Sequence, residues 1–345
     1  MAGYLPIPIS LEEALSGDYA WIDVRSEGEY AQAHVPGAIN APVLNNDHRH
    51  QVGLRYKQNG STAAVRLGLQ LMGPEFDRYF DQLLSLSKNR PVLIHCWRGG
   101  LRSHIASTLL AWNNQPVHLL TGGYKTYRTW ALEQLQHPPA MRVLGGHTGS
   151  GKTELLHRLQ AQGIPALDLE GLAHHKGSAF GGLGQKEQPS NEQFENTLAL
   201  SLWWHQRLNG TAPIWVENES RNIGKCALPN GFYKALSEAP VLAVEVSREQ
   251  RAERLLNEYG HFDKALLSEK TAALQRRMGP QHEKAAQEAL AADRMMDWML
   301  ILLDYYDKAY EHGRLGRNIE SQEFDWSQTE ASIEALLKKI HETRE

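Results

Sequence analysis

Short apolar runs alternate with helix-periodic stretches along the first 137 residues. Trp21-Ile22-Asp23-Val24 is a compact apolar run, Glu27 to Ala33 has helical composition, and His34-Val35-Pro36-Gly37-Ala38 turns into Ile39. Phe76 to Leu86 carries apolar residues at helical spacing. Pro91 to His95 reads as a buried strand that ends on Cys96, Ile105 to Trp112 as a helix, and Val117 to Leu120 as a strand before Gly122-Gly123. Strands separated by helices predict an α/β domain with a mostly parallel sheet covered on both faces. His137-Pro138-Pro139-Ala140 halts the preceding helix and marks a linker. A second series follows, with strands at Met141–Gly145, Ala166–Leu169, Ile214–Glu217 and Val241–Val244 and a helix over Thr153–Gln160. The glycine-rich segment Gly177 to Gln188 reads as a mobile loop. Beyond residue 248 the pattern is helical and charged, with no further strand expected. The expected organisation is therefore 1–137, 138–247, and a helical region over 248–345 packed on the second domain.

With 345 residues, the chain has room for two buried cores. Its 41% hydrophobic and 22% charged residues are ordinary for a soluble protein. A net charge of −4 argues against charge-driven nucleic-acid binding as the main activity, though local basic clusters can still meet a polyanion. The candidates are Arg248, Arg251 and Arg254, then Arg276-Arg277, and Lys125 with Arg128; each reads equally well as a solvated helix face, with pairs such as Arg254–Glu258. Two cysteines, Cys96 and Cys226, fit a reducing compartment. No signal peptide is read at Met1 to Pro8, and the longest apolar run, Trp298 to Leu303, falls far short of a membrane span. The expectation is a cytoplasmic protein with no membrane contact.

Cys96-Trp97-Arg98-Gly99-Gly100-Leu101-Arg102-Ser103 places a cysteine between a strand and a helix start. Inward-pointing amides, the helix N-terminus, and the cations Arg98 and Arg102 favour thiolate over thiol and would hold an anionic substrate beside it. A lone cysteine is more often simply buried, but this setting favours a reactive one. Cys226 has no such setting and reads as non-catalytic.

Gly146-His147-Thr148-Gly149-Ser150-Gly151-Lys152-Thr153 matches Gly-x4-Gly-Lys-Thr, with a strand before it and a helix after it. Its amides would face a diphosphate, Lys152 would reach the oxygens, and Thr153 would be placed to ligate Mg2+. The counterpart of the usual acidic partner is Glu217, within Glu217-Asn218-Glu219-Ser220-Arg221. Asp168, Glu170, Glu219 and Arg221 complete the candidate residues on this domain. Trp203, Trp204, Trp215, Phe232 and Tyr233 read either as core or as an apolar pocket for a prenyl chain whose diphosphate sits on the loop. His174-His175 reads as a further acid, base or phosphate contact, or as an inert surface pair.

Ile22-Asp23-Val24-Arg25, Glu29-Tyr30, His34 to Asn40, the Cys96 loop and Gly122-Gly123-Tyr124 together resemble a rhodanese domain. That resemblance implies Cys96 as a carrier of sulfur or selenium, with Asp23 and Arg25 structural. Across nearly the whole chain, the sequence is similar to the tRNA 2-selenouridine synthase family, a rhodanese-like parallel-sheet domain followed by a P-loop NTPase-like α/β domain. The match is carried by Leu44-Asn45-Asn46-Asp47, Val52-Gly53, Tyr56-Lys57-Gln58, Asp168 to Ala173, Gly177 to Gly181, Phe194-Glu195-Asn196 and Glu217 to Arg221. The family resemblance implies conversion of 2-thiouridine to 2-selenouridine at the tRNA wobble position through an S-geranyl intermediate. It implies geranyl diphosphate and selenophosphate as co-substrates with no tightly bound cofactor, and tRNA and a selenophosphate synthetase as partners. Two other readings fit the two loops: an ATP-dependent sulfurtransferase fused to a small-molecule kinase, and a non-catalytic regulatory protein, against which the intact Cys96 loop weighs.

Overall fold

The computed structural model describes residues 5–87, 90–314 and 319–342. They form two units: the first runs to Gln134 and takes in Glu192–Leu200, and the second comprises Leu135–Asn191 and Ser201 onward.

In the first unit β1 (Ile7–Ile9), β2 (Ala20–Asp23), β3 (Ile39–Asn40), β4 (Val92–His95) and β5 (Val117–Leu120) make one parallel sheet in the order β1-β5-β4-β2-β3. Every residue of the central strand β4 is buried, which explains its unbroken apolar run. The main core joins Ile22, Ile94 and Val117 of the sheet to Leu83 and Leu110 of the helices Phe76–Leu86 and Leu101–Trp112. Ser10 and Ser26 each open a helix with a reciprocal cap to Glu13 and Glu29.

Two parts of this unit were not anticipated. The helix Asn46–Met72 is interrupted at Gly60, where φ is +80° and ψ −178°. A Cβ added at Gly68 would lie 3.9 Å from Val52 Cγ2, so the two arms fold back on each other as a helical hairpin. The other is Glu192–Leu200, from the helix Asn191–Asn209, which is tied into the first unit by Asn196. Asn196 Nδ2 donates to Tyr124 Oη (2.8 Å) and to the His34 carbonyl (3.1 Å), and its own carbonyl accepts from Tyr127 Oη at 2.8 Å.

In the second unit β6 (Met141–Gly145), β7 (Ala166–Leu167), β8 (Ile214–Glu217), β11 (Val241–Glu245) and β12 (Ile319–Glu323) form a parallel sheet in the order β12-β11-β6-β8-β7, with β9 (Asn222–Ile223) and β10 (Cys226–Ala227) as a small antiparallel pair. Strand β12 corrects the expectation that no strand follows residue 248. It is a sheet edge of sequence Ile-Glu-Ser-Gln-Glu, partly or fully exposed throughout, so it lacks the apolar run that marks a buried strand. The helices after β11 do pack within this unit, around Trp298, Leu302 and Leu267. The segment Gly177–Gln188 is irregular, yet Phe180 is buried in that same core. Among the described residues no helix is long and apolar enough to cross a membrane.

Candidate functional site

Cys96 follows β4 immediately, and its loop closes on the helix Leu101–Trp112. The sulfur accepts a hydrogen bond from the Gly100 amide at 3.1 Å and lies 3.3 Å from Ser103 Oγ. Burial pushes the thiol up, but hydrogen bonds from the Ser103 hydroxyl and from the Ser103 and Arg98 amides, with the Arg102 charge, outweigh it and leave the group below the usual thiol range. From behind, Tyr124 N donates to the Cys96 carbonyl (2.9 Å) and Lys125 N to that of Trp97 (3.0 Å). This contact requires Gly123: it has φ +63°, and an added Cβ would lie 2.4 Å from Cys96 O and 2.6 Å from Gly99 N.

Beneath the loop, Arg25 and Asp23 form a buried ion pair at 2.6 Å, and the Arg25 guanidinium lies 3.9 Å from the centre of the Tyr124 ring. Both serve to support the loop. Cys96 is only 4% exposed, yet it lines a cavity of about 680 Å3 between its loop and the helical hairpin. Trp97, Arg98, Gly100, Leu101 and Arg102 line the same cavity, whereas Ser103 is buried behind the sulfur. Gly99, with φ +67°, packs on the Gly122–Gly123 backbone. Arg102 is held by Glu29 at 2.6 Å, so its charge is partly spoken for.

In the second unit the phosphate loop joins β6 to the helix Lys152–Ala161. Lys152 Nζ donates to the Gly146 carbonyl at 3.0 Å, and the Gly146 amide donates to Tyr310 Oη at 2.7 Å. Gly151 takes φ +81°, where an added Cβ would strike the Trp326 indole at 2.3 Å. His147 lies 3.9 Å from Glu245, and Ser150 is buried, its carbonyl accepting from Trp326 Nε1 at 3.2 Å. A cavity of about 400 Å3 opens on the loop. Lys152, Thr153, Lys176 and Arg254 line it together with the carboxylates Glu154, Glu170, Glu219 and Glu258, and so do Phe180, Leu255, Tyr259, Met299, Leu302 and Tyr306.

The acidic candidates separate. Glu170 accepts from Thr153 Oγ1 at 3.0 Å and, with Glu219, lines the cavity. Glu217 is wholly buried and accepts from the Glu170 amide at 2.7 Å, while its second oxygen has no partner. Burial and the neighbouring carboxylates Asp168 and Glu170 push Glu217 well up; burial and Glu170 push Glu219 up to about 8. Glu170 is also raised, by burial first. Asp168 caps the helix Leu169–Ala173 and pairs with His157 at 2.8 Å, and Arg221 reaches Asn230 at 2.5 Å; neither lines the cavity. His174 Nδ1 lies 2.8 Å from the Glu187 carbonyl oxygen, and burial lowers the pKa of His175.

Two readings left open by the sequence are decided. None of Trp203, Trp204, Trp215, Phe232 and Tyr233 lines the phosphate-loop cavity; Trp215 and Phe232 are core. The aromatic wall comes instead from Phe180 and the helices Arg248–Tyr259 and Met295–Arg314. The arginines at 248, 251 and 254 are not a free basic face. Arg251 is buried, pairs with Asp307 at 2.7 Å and donates to the Thr148 carbonyl at 3.2 Å. Arg254 pairs with Glu154 (2.8 Å), not Glu258, and stacks on Trp326; Arg248 pairs with Asp304. Arg128 is engaged by Glu195 and Asn196, while Lys125, Arg276 and Arg277 are exposed. Cys226 is buried, and its thiol is pushed up by burial.

A rhodanese-like domain model matches residues 8–129, and a model for the AAA domain of tRNA 2-selenouridine synthase matches residues 139–273. The chain is 36% identical to the tRNA 2-selenouridine synthase of Aeromonas salmonicida (strain A449) over 340 residues, covering 89% of this chain and 90% of that one. It is 39% identical to the synthase of Hahella chejuensis (strain KCTC 2396) over 243 residues, 69% of this chain and 63% of the other. With that of Shewanella loihica (strain ATCC BAA-1088 / PV-4) it shares 34% over 332 residues, 86% and 88%.

Two predictions follow from these geometries. Ser103→Ala removes the hydroxyl 3.3 Å from the sulfur, so the pH midpoint for iodoacetamide alkylation of Cys96 should rise and the rate at pH 7 should fall severalfold; an unchanged profile would deny Ser103 a part in lowering it. Burial and the adjacent Glu170 push the Glu219 carboxyl up to about 8, so its negative charge grows as the pH rises from 7 to 9. Pyrophosphate binding without divalent cations should therefore weaken by about tenfold between pH 7 and 9, and Glu219→Gln should flatten that slope in a calorimetric titration.

Proposed function

The chain belongs to the tRNA 2-selenouridine synthase family, transferases of tRNA modification, and on that basis we propose that it acts on wobble 2-thiouridine in two half-reactions, one on each unit. In the first, the thiocarbonyl sulfur of 2-thiouridine bonds to C1 of geranyl diphosphate, the carbon–oxygen bond breaks, and pyrophosphate leaves with the electron pair. In the second, the Cys96 thiolate bonds to the phosphorus of selenophosphate and the phosphorus–selenium bond breaks, which releases hydrogen selenide beside Cys96; its selenium bonds to C2 of the base, and geranylthiolate leaves with the electron pair of the carbon–sulfur bond. Water then cleaves the sulfur–phosphorus bond, which frees phosphate and restores the Cys96 thiol, with selenium in place of sulfur in the base.

The observation that carries the first step is the cavity on the phosphate loop, whose lining joins cations to apolar and aromatic side chains. Lys152, Lys176 and Arg254 suit a diphosphate, while Phe180, Tyr259, Met299 and Tyr306 suit a hydrocarbon chain. At roughly 0.8 kcal/mol per buried methylene, a ten-carbon chain has several kcal/mol to gain from that wall. The aromatic faces also favour the allylic cation that develops as the diphosphate departs. Thr153 and Glu170 would hold Mg2+ together with the diphosphate, in keeping with a cation that uses one or two carboxylates and substrate oxygens. Its contribution there is positive charge beside the leaving group. Glu217 does not line the cavity and would act on such a cation only by holding the Glu170 amide.

For the second step the support is the amide-cradled Cys96 sulfur, with Arg98 and Arg102 on the cavity to meet the selenophosphate anion. The partners on this reading are tRNA bearing 2-thiouridine and a selenophosphate synthetase as supplier, in the cytoplasm.

The test is mass spectrometry of nucleosides from 2-thiouridine tRNA incubated with protein, geranyl diphosphate, selenophosphate and a thiol. Cys96→Ser should abolish 2-selenouridine and leave S-geranyl-2-thiouridine to accumulate. Lys152→Ala should slow geranylation by about 10²-fold or more. Selenouridine formed by Cys96→Ser at the wild-type rate would remove Cys96 from the reaction. Normal geranylation by Lys152→Ala would remove the phosphate loop from it.

A further inference from the structure

We propose that the groove beside Cys96 is a second hydrocarbon site, which seats the S-geranyl chain of the alkylated nucleoside while selenium attacks. The inference rests on the two-step reading above and adds to it a place for the leaving group.

Three observations converge on this groove. Its wall is the helical hairpin broken at Gly60, and that hairpin turns Val52, Leu54, Val65, Leu69 and Met72 toward the cavity that holds Cys96. Several of these side chains are left open: Leu69 is 51% exposed and Leu54 44%, with Tyr56 and Leu101 beside them more exposed still. A contiguous apolar surface of this kind, around one concavity of about 680 Å3, marks a binding site rather than scattered surface residues. Finally, the cavity is amphipathic in the right sense. The cations Arg49, Lys57, Arg98 and Arg102 and the Cys96 sulfur also line it, so an anion or nucleophile and a hydrocarbon can be held together.

The chemistry requires that juxtaposition. When selenium held beside Cys96 comes within bonding distance of C2, the sulfur that departs is one bond from C2, and the ten-carbon chain is one bond further. That chain must therefore lie within a few ångströms of Cys96, in the same cavity. A polar cavity would leave it facing trapped water. An apolar wall instead selects the alkylated nucleoside over unmodified 2-thiouridine, so selenium meets only the base that carries a good leaving group.

The test uses the full chain and needs no turnover. Cys96 alkylation by iodoacetamide is followed by mass spectrometry of its peptide, in the presence of S-geranyl-2-thiouridine or S-methyl-2-thiouridine nucleoside. The geranyl compound should protect Cys96 at a concentration at least tenfold below that needed for the methyl compound. Leu69→Trp and Val65→Trp fill the groove from partly exposed helix positions and should each remove that tenfold preference, with protection measured against each variant's own alkylation rate without nucleoside. Equal protection by the two nucleosides, or a preference that survives both substitutions, would overturn the proposal. Failure of the wild-type protein to form S-geranyl-2-thiouridine from geranyl diphosphate would instead strike the two-step reading, and is measured separately.

Discussion

The structure around Cys96 depends on one close backbone approach. Gly123 lies against Cys96 O and the amides of Arg98 and Gly99, so near that no side chain fits between. With Tyr124 N and Lys125 N holding the carbonyls of Cys96 and Trp97, the loop has no freedom to relax outward. Its amides are consequently turned in toward the sulfur, and the Gly100 amide meets it at 3.1 Å. Burial alone would push the thiol up; fixed donors and a nearby guanidinium outweigh it and leave the group below its usual range. The buried Asp23–Arg25 pair and the Tyr124 ring underneath keep the clamp rigid.

The phosphate loop is braced on the same principle by different parts. Arg251, anchored by Asp307, holds the Thr148 carbonyl; Trp326 holds that of Ser150; and Tyr310 accepts from the Gly146 amide. All four residues come from the region after β11. That region thus does more than cover the sheet: it fixes the loop and supplies the apolar wall facing it. The cavity it helps to line joins cations and carboxylates to apolar and aromatic side chains.

Both loops were legible in the sequence because their chemistry is local. Eight consecutive residues specify each one, and a strand before and a helix after are enough to orient the amides. The glycines at 122 and 123 could be noticed, but their cause is a contact with a loop some twenty residues earlier, visible only once β4 and β5 lie side by side. The aromatics of the cavity were not picked out for a related reason. Trp203 and Trp204 stand out in sequence, whereas Phe180, Tyr259 and Tyr306 are spread over more than a hundred residues and share a cavity only through tertiary packing. Helical periodicity does not distinguish a residue facing the core from one facing a pocket. The hairpin was hidden in a long polar stretch whose break is a single glycine, and β12 in an edge with little apolar pattern. Arginines 248, 251 and 254 looked like a basic face because their acidic partners, Asp304, Asp307 and Glu154, lie about fifty to one hundred residues away.

The central claim is a division of labour between a diphosphate-binding unit and a thiolate-bearing one. Its most direct test is to supply the intermediate: purified tRNA already carrying S-geranyl-2-thiouridine, given to the Lys152→Ala protein with selenophosphate and a thiol. The account predicts 2-selenouridine at the rate of the unsubstituted protein, since the phosphate loop has no part in the second step. A rate as depressed as in the reaction begun from 2-thiouridine would contradict it, and would place both steps on one site.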